Sequence, residues 1–276
     1  MKKIDKPHDS GSASLCAASR NKKLRKTYPN LLRLGLRTER LAQHYDAAGG
    51  DPNIVRSNRI SAKEKQAVLD LYESPPKGMG YIGELRDSLA GETCPMCGGY
   101  NPTELDHYLT KKKYPEYACV SYNLVPACSC NRMRGERLFD QVTHARVLHP
   151  YYDDCMVEPL IDLKFNPNDT PPLFTINYTI SASNPNYNNV KFHVDNIVLR
   201  TNFLTHIGKR WGRLKAQPDA ILPKHRDYRA SRDEFHSYLI ELSDGKSAET
   251  GPNSWAAIFF RSISRRSVSD WIFDNC

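Results

Sequence analysis

Two cysteine pairs, CPMCG at Cys94 and Cys97 and ACSC at Cys128 and Cys130, enclose an acid beside a histidine, Asp106-His107, and the lysine run Lys111, Lys112, Lys113. Cys94 and Cys97 form a C-x-x-C knuckle whose sulfurs can reach one ion, and the second pair can complete a tetrahedral sulfur set of the kind zinc prefers. Four-cysteine zinc sites are closed to substrate, so the expected ion is a staple, contributing folding free energy on the order of 10–16 kcal/mol in small zinc modules. The second pair is C-x-C, one residue shorter than the usual knuckle, which makes Cys130 the weakest of the four expected ligands. A redox dithiol is the competing reading, but the sequence offers no thioredoxin-like βαβ setting around it.

Between the pairs, Asp106 and His107 fall in a short extended stretch over 104–109, and Thr110 and Pro115 mark the lysine run as a loop. Phosphodiester hydrolysis needs a base to activate water, a cation on the scissile phosphate and positive charge to gather the polyanion. An imidazole titrates near neutrality and can serve as the base, while a hard divalent cation such as Mg2+ or Mn2+ wants oxygen ligands. Asp106 and the side-chain carbonyl of Asn131 are the candidates for that cation, and Lys111, Lys112, Lys113, Arg132 and Arg134 for contact with the polyanion. The bland alternative for His107 is a satisfied structural histidine. It is outweighed by the neighbouring acid and by the position between the two halves of a metal clamp.

The same residues carry a resemblance. Asp106-His107, Asn123 sixteen positions after that histidine, and Asn131 within CNRMR resemble the HNH endonucleases, the ββα-metal or His-Me finger fold. The resemblance implies that His107 is the general base, that Asp106 and Asn131 hold the catalytic divalent metal, and that Asn123 braces the loop and the base. The HNH domain of RNA-guided CRISPR nucleases likewise has Asn at the last position; Arg134 stands where Lys is more usual. DHYLTKKKYPEY looks like the DHYLPKSxYPEY form of HNH proteins encoded beside ATPases in bacterial anti-phage systems, with Thr110 departing from the proline. VLHPYYDD over 147–154 and the closing helix from Trp255 are also similar. The nearest likeness is to the HNH subunit of Septu-type and retron-associated antiviral defence. It implies 5′-phosphate and 3′-hydroxyl products, an ABC- or SMC-like ATPase partner and, in retron versions, a reverse transcriptase with its DNA product.

Around this core, the 276 residues carry a formal net charge of +8 and a pI near 9.0, in keeping with a nucleic-acid partner. No signal-peptide core follows Met1 and no apolar run approaches twenty residues, so an intracellular, cytoplasmic chain without a membrane span is expected, its cysteines metal-bound or free. The expected fold is α+β: a zinc-stapled ββα nuclease core over 61–155, a basic arm and helix over 1–60, and a C-terminal region over 156–276 for partner or substrate contact. The Ser-, Ala- and Lys-rich first thirty residues read as a solvated tail, with an arm touching nucleic acid or a partner as the alternative, followed by a helix over 30–47. Ser61 and Glu64 form a capping box before a helix bearing Val68, Leu71 and Tyr72, and a second helix over 81–89 buries Ile82, Leu85 and Leu89. Beyond Asp154, two strands around Ile176 and Phe192 flank an Asn-rich turn. Helices follow on Leu204, Ile207, Trp211 and Leu214, on Phe235, Tyr238, Leu239 and Leu242 after Ser231, and over 255–273. His149 reads as a packing residue, and Cys16, Cys119, Cys155 and Cys276 as incidental, Cys119 in a strand. DNA is the first expected substrate. Structured RNA such as tRNA is the alternative, and a zinc-ribbon adaptor that no longer cuts is a reading of another class.

Overall fold

A computed structural model describes residues 1–88 and 90–276 of the chain. The N-terminal stretch expected as a solvated tail is folded: α1 (Ser12–Arg20) buries Leu15, Ala18 and Ser19 against α2 (Leu32–Ala47), whose inward stripe is Leu34, Thr38, Leu41, Ala42 and Tyr45. Gly35 lets the two helices touch, since a Cβ there would strike the Ser19 side chain. Charge counting misses such a helix because a few apolar residues on one face suffice once a partner helix supplies the rest of the burial. The residues before α1 are tied down too, with Lys2 N donating to Pro95 O at 3.0 Å and Ile4 N to Pro150 O at 3.1 Å.

The capping box forms as read. Ser61 Oγ accepts from Glu64 N at 3.2 Å while Glu64 Oε2 accepts from Ser61 N at 2.8 Å, opening α3 (Ala62–Glu73), which turns Ala67, Val68, Leu71 and Tyr72 inward. Such a cap stabilises a helix by about 1 kcal/mol. Next, α4 (Tyr81–Asp87) buries Ile82 and half-buries Leu85; the third expected anchor, Leu89, lies outside the described residues. Then β1 (Glu104–His107) pairs antiparallel with β2 (Leu124–Ala127), Glu104 opposite Ala127 and His107 opposite Leu124, and α5 (Cys130–Arg134) follows directly. Along β1 the period of two turns Leu105 and His107 to the covered face and Glu104 and Asp106 to the open one.

In the C-terminal region β4 (Thr175–Tyr178) forms where expected, but its partner is the upstream β3 (Ile161–Lys164), with Leu163 opposite Ile176. The expected second strand is instead part of a helix, α6 (Tyr187–Asn196). Val190, His193, Val194, Ile197 and Val198 are all buried, a spacing of three, four, seven and eight that only a helix places on one face. The alternation of Val190, Phe192 and Val194 is a short sample of that longer pattern. Phe203, Ile207, Trp211 and Leu214 form the buried stripe of α7 (Phe203–Ala216), and Leu204, expected on it, is 37% exposed. Ser231 accepts from Glu234 N at 3.1 Å to open α8 (Arg232–Thr250). The expected closing helix is two, α9 (Trp255–Ile263) and α10 (Arg266–Asn275). The chain leaves the helical region at Arg265, whose guanidinium reaches Asp162 on β3 at 3.1 Å. The result is a mixed α+β fold with two small antiparallel sheets. Among the described residues no helix is long and apolar enough to cross a membrane.

Candidate metal centres

The knuckle at Cys94 turns tightly because Cys94 N donates to Gly99 O at 2.8 Å and Gly98 N to Cys94 O at 2.9 Å, with Gly98 in the left-handed region at φ 78°. A Cβ at Gly98 would collide with the Asn253 carbonyl, so both backbone and space require glycine. Opposite it, β2 and the first turn of α5 deliver Cys128 and Cys130. The four Sγ atoms lie within 4.8 Å of one another, with Cys94 to Cys130 at 3.8 Å and Cys97 to Cys128 at 3.5 Å. Thiolates about 2.3 Å from a tetrahedral zinc stand about 3.8 Å apart, so the donor set and its spacing fit that ion. Cys130 is a full member of the set: the helical backbone from Ser129 onward supplies the sharp bend that C-x-C needs. Among the described residues this is the one group of three or more His, Cys, Asp or Glu side chains close enough to share an ion.

Four thiols this close, three of them buried and Cys128 half-buried, cannot all ionise without a cation. Hydrogen bonds from Cys128, then Cys130 and Cys97, pull Cys94 well below the usual thiol range, while the Cys128 contact pushes Cys97 and Cys130 up. Around the sulfurs four successive carbonyls are engaged. The successive carbonyls of Pro95, Met96, Cys97 and Gly98 accept from Lys2 N at 3.0 Å, His193 Nε2 at 2.6 Å, Trp255 Nε1 at 2.9 Å and Trp255 N at 2.8 Å. His193 Nδ1 accepts from Leu148 N at 3.0 Å, so its proton must sit on Nε2. The cluster therefore joins the chain's first residues, α6 and α9 to the middle of the molecule. Zinc, where bound, would hold these segments together rather than touch a substrate.

Asp106, His107 and Asn131 meet at the other end of the same strand-and-helix unit. The His107 ring lies on the covered face of β1, 2% exposed, with Tyr72 of α3 packed against it at a centroid distance of 4.4 Å. Its Nε2 is 3.0 Å from the Ala118 carbonyl, which can only accept, so Nε2 carries a proton and, in the neutral ring, Nδ1 keeps the lone pair. That Nδ1 is 3.8 Å from Asp106 Oδ1. The Asp106 side chain is 28% exposed and is where solvent meets the pair. Burial opposes ionisation of Asp106, but the His107 ring beside it and the hydrogen bond that Oδ1 accepts from His107 N at 2.7 Å, with Asn131 adding to them, outweigh it and hold the pKa at about 2. Asn131 Nδ2 donates to His107 O at 3.3 Å, and its Oδ1 is buried with no partner among the described residues. An ionised carboxylate and an unsatisfied amide oxygen are donor types that a hard, oxygen-seeking cation such as Mg2+ or Mn2+ takes.

Asn123 is fully buried and touches neither the ring nor the open side. Its Oδ1 accepts from Leu109 N at 2.7 Å and from Tyr45 OH at 3.1 Å, while Nδ2 donates to Leu109 O at 3.1 Å and Tyr117 O at 3.2 Å. It closes the loop that ends in the Ala118 carbonyl, and so positions His107 indirectly. Behind it, His149 Nδ1 accepts from Tyr151 N at 3.2 Å and Nε2 therefore donates to Tyr45 OH at 3.0 Å. Burial, with the Arg146 charge beside it, pushes His149 well below the usual imidazole range. It is the packing residue expected. The sequence reading passed over Tyr45, although a tyrosine on a buried helical stripe signals a hydroxyl that must find a partner. The Ala118 carbonyl, a backbone group, leaves no residue-type signal at all.

The expected phosphate contacts divide. Lys111 pairs with Glu73 at 3.5 Å, Lys112 with Glu136 at 2.5 Å and Arg132 with Glu104 at 2.7 Å, while Lys113 Nζ lies over the Tyr114 and Phe139 rings. Arg134 is a correction. It is 1% exposed, with Nη2 donating to His107 O at 3.3 Å and Tyr108 O at 3.1 Å, so it anchors β1 from inside and presents nothing to a polymer. Cys119 lies in a turn between two short 3-10 segments, not in a strand, and its thiol faces Val68 O at 3.6 Å.

No protein-family model matches the chain, and no solved structure does. Similarity is found to protein ea31 of Escherichia phage lambda, 41% identical over 68 residues, which covers 23% of this chain and 22% of that protein. The shared stretch is thus under a quarter of either molecule.

Proposed function

We propose that this chain is a metal-dependent nuclease of the HNH kind, hydrolysing phosphodiester bonds with His107 as general base. The observation that carries the reading is the Nε2 contact with the Ala118 carbonyl, which in the neutral ring places the proton on Nε2 and leaves Nδ1, turned toward Asp106, to accept one. His107 can then draw a proton from a water on the Asp106 side, with the Ala118 carbonyl holding the imidazolium that results. Asp106 and Asn131 would hold the divalent cation. When bound, it supplies positive charge to the phosphate and to the leaving 3′ oxygen. Asn123 and Arg134 keep the ring and strand in place from behind.

Participation in anti-phage defence, with an ABC- or SMC-like ATPase and in some settings a reverse transcriptase and its DNA product, belongs to the same proposal and rests on the resemblance of DHYLTKKKYPEY, of VLHPYYDD over 147–154 and of the closing helix from Trp255. The test is to incubate the purified chain, alone and with proteins encoded beside its gene, with plasmid DNA and with total RNA, with and without Mg2+. Cleavage that needs Mg2+ and disappears in His107→Ala is expected. Cleavage that persists in His107→Ala removes His107 as the base, and the polymer that is cut identifies the substrate.

A further inference from the structure

Residues 1–60 contain thirteen lysines and arginines against five acids, so the whole formal excess of +8 resides there and residues 61–276 are neutral as a group. Part of that charge converges on a cavity of about 480 Å³ between α2 and the segment after it, where Arg37, Arg40, His44 and Arg56 surround an apolar floor of Leu41 and Ile54. Among the described residues no carboxylate lines it. Nor do Arg37, Arg40 and Arg56 form ion pairs among those residues, in contrast with Lys111, Lys112 and Arg132, each matched to a glutamate. The one side-chain hydrogen bond of the three is a long one, Arg37 Nη2 to Asn58 Oδ1 at 3.5 Å.

Three guanidiniums around one cavity repel one another, and a bound anion relieves that repulsion. The planar, forked guanidinium matches phosphate oxygens two at a time. Arg37, Arg40 and His44 follow at spacings of three and four on α2, setting two guanidiniums and an imidazole able to hydrogen-bond phosphate along about 10 Å of helix, a line rather than a point. A polymer with successive phosphates suits such a line better than a single small anion, and the exposed Ile54 gives sugars or bases an apolar contact. The groove is also coupled to the notch at His107. Asn58 N donates to Glu116 Oε1 at 2.5 Å, and Glu116 lies in the turn just before Ala118, whose carbonyl holds the ring.

We propose that this groove is a nucleic-acid backbone site, separate from the notch, which grips phosphates of the polymer that the notch cuts; it rests on the nuclease reading for that second clause. The test measures binding of a fluorescein-labelled duplex DNA and a labelled RNA to the His107→Ala chain across a salt series, beside the same chain carrying Arg37→Gln, Arg40→Gln and Arg56→Gln. The triple variant should bind at least one polymer roughly tenfold or more weakly, with the slope of log affinity against log salt reduced by about two to three. An Arg40→Gln/Arg56→Gln double variant, altering only exposed side chains, guards against misfolding and should show part of both effects; the corresponding lysine variants should retain most of the slope. Unchanged affinity and slope for both polymers in a folded triple variant overturns the proposal, as does failure of the parent chain to bind either. Arginine-dependent binding of polyglutamate in place of nucleic acid overturns it in favour of an acidic protein partner. A chain that binds through these arginines but never cleaves with Mg2+ sinks the nuclease reading and leaves the groove standing. One that cleaves while the triple variant binds normally does the reverse.

Discussion

The sulfur cluster and the Asp106–His107–Asn131 notch are joined by one peptide bond, between Cys130 and Asn131, yet they are built in opposite ways. At the cluster the thiols match one tetrahedral ion, and four consecutive carbonyls are each taken by a donor from a distant segment. At the notch an amide oxygen is left without a partner and a carboxylate stays partly open. Complete satisfaction fixes a structure. Incomplete satisfaction, held in place by a satisfied neighbour, leaves free energy for a ligand to gain.

Breaking the cluster should have the largest effect. Removing zinc with a chelator, or replacing Cys97 with serine, should cost a sizeable part of the 10–16 kcal/mol on the order of which structural zinc contributes to small modules. Loss of the cooperative thermal transition together with zinc content by elemental analysis checks it, and a chelated chain that melts normally would contradict the staple. At the notch, His107→Ala should lower cleavage by about 10²- to 10⁴-fold while zinc content stays at the parental value, which separates the two centres directly. Between these regions, Asn123→Ala strands Leu109 N, Leu109 O and Tyr117 O in the interior and should destabilise by about 3 kcal/mol, read from urea unfolding.

A pH profile sharpens the comparison further. Burial, the leading cause, lowers the pKa of His193 to about 3, against an ordinary imidazole value of 6.5. Below pH about 6.5 the unfolded chain takes a proton that folded His193 refuses, so its contribution falls progressively from there toward pH about 3. A loss of about 2 kcal/mol between pH about 7 and pH about 5 follows from linkage. In His193→Gln, which cannot titrate, the unfolding free energy should fall less steeply across that window; an equal slope would assign the effect to other groups. The smallest change is expected for Arg132→Ala, about 0.5 kcal/mol or less, because its pair with Glu104 is on the surface.

The cysteine spacing, the capping box at Ser61, the stripes of α2, α3 and α8 and the placement of Asp106 and His107 on a strand were legible because each is a local pattern of residue types. Legibility failed where a short window admits two periods, as at Val190–Phe192–Val194, or where burial depends on a partner distant in sequence, as for α1. Arg134 is the sharpest case. Its charge reads as a surface contact, yet its place at the end of α5 aims it at the carbonyls of His107 and Tyr108. Of the candidate site, the side chains could be named from their order along the chain, but nothing local marked Tyr72, Tyr45 or the Ala118 carbonyl as their neighbours.

By itself, the sequence determined which atoms are available for chemistry: four sulfurs in two pairs, an acid next to an imidazole, and an amide directly after the last cysteine. These are fixed by covalent order. Only the tertiary structure decided how they are disposed, because the contact of His107 Nε2 with Ala118 O, the burial of Asn131 Oδ1 and the burial of Arg134 depend on carbonyls and rings contributed by other segments of the chain. Hydrogen bonds and burial act through space over a few ångströms, and folding alone determines which residues come within that range.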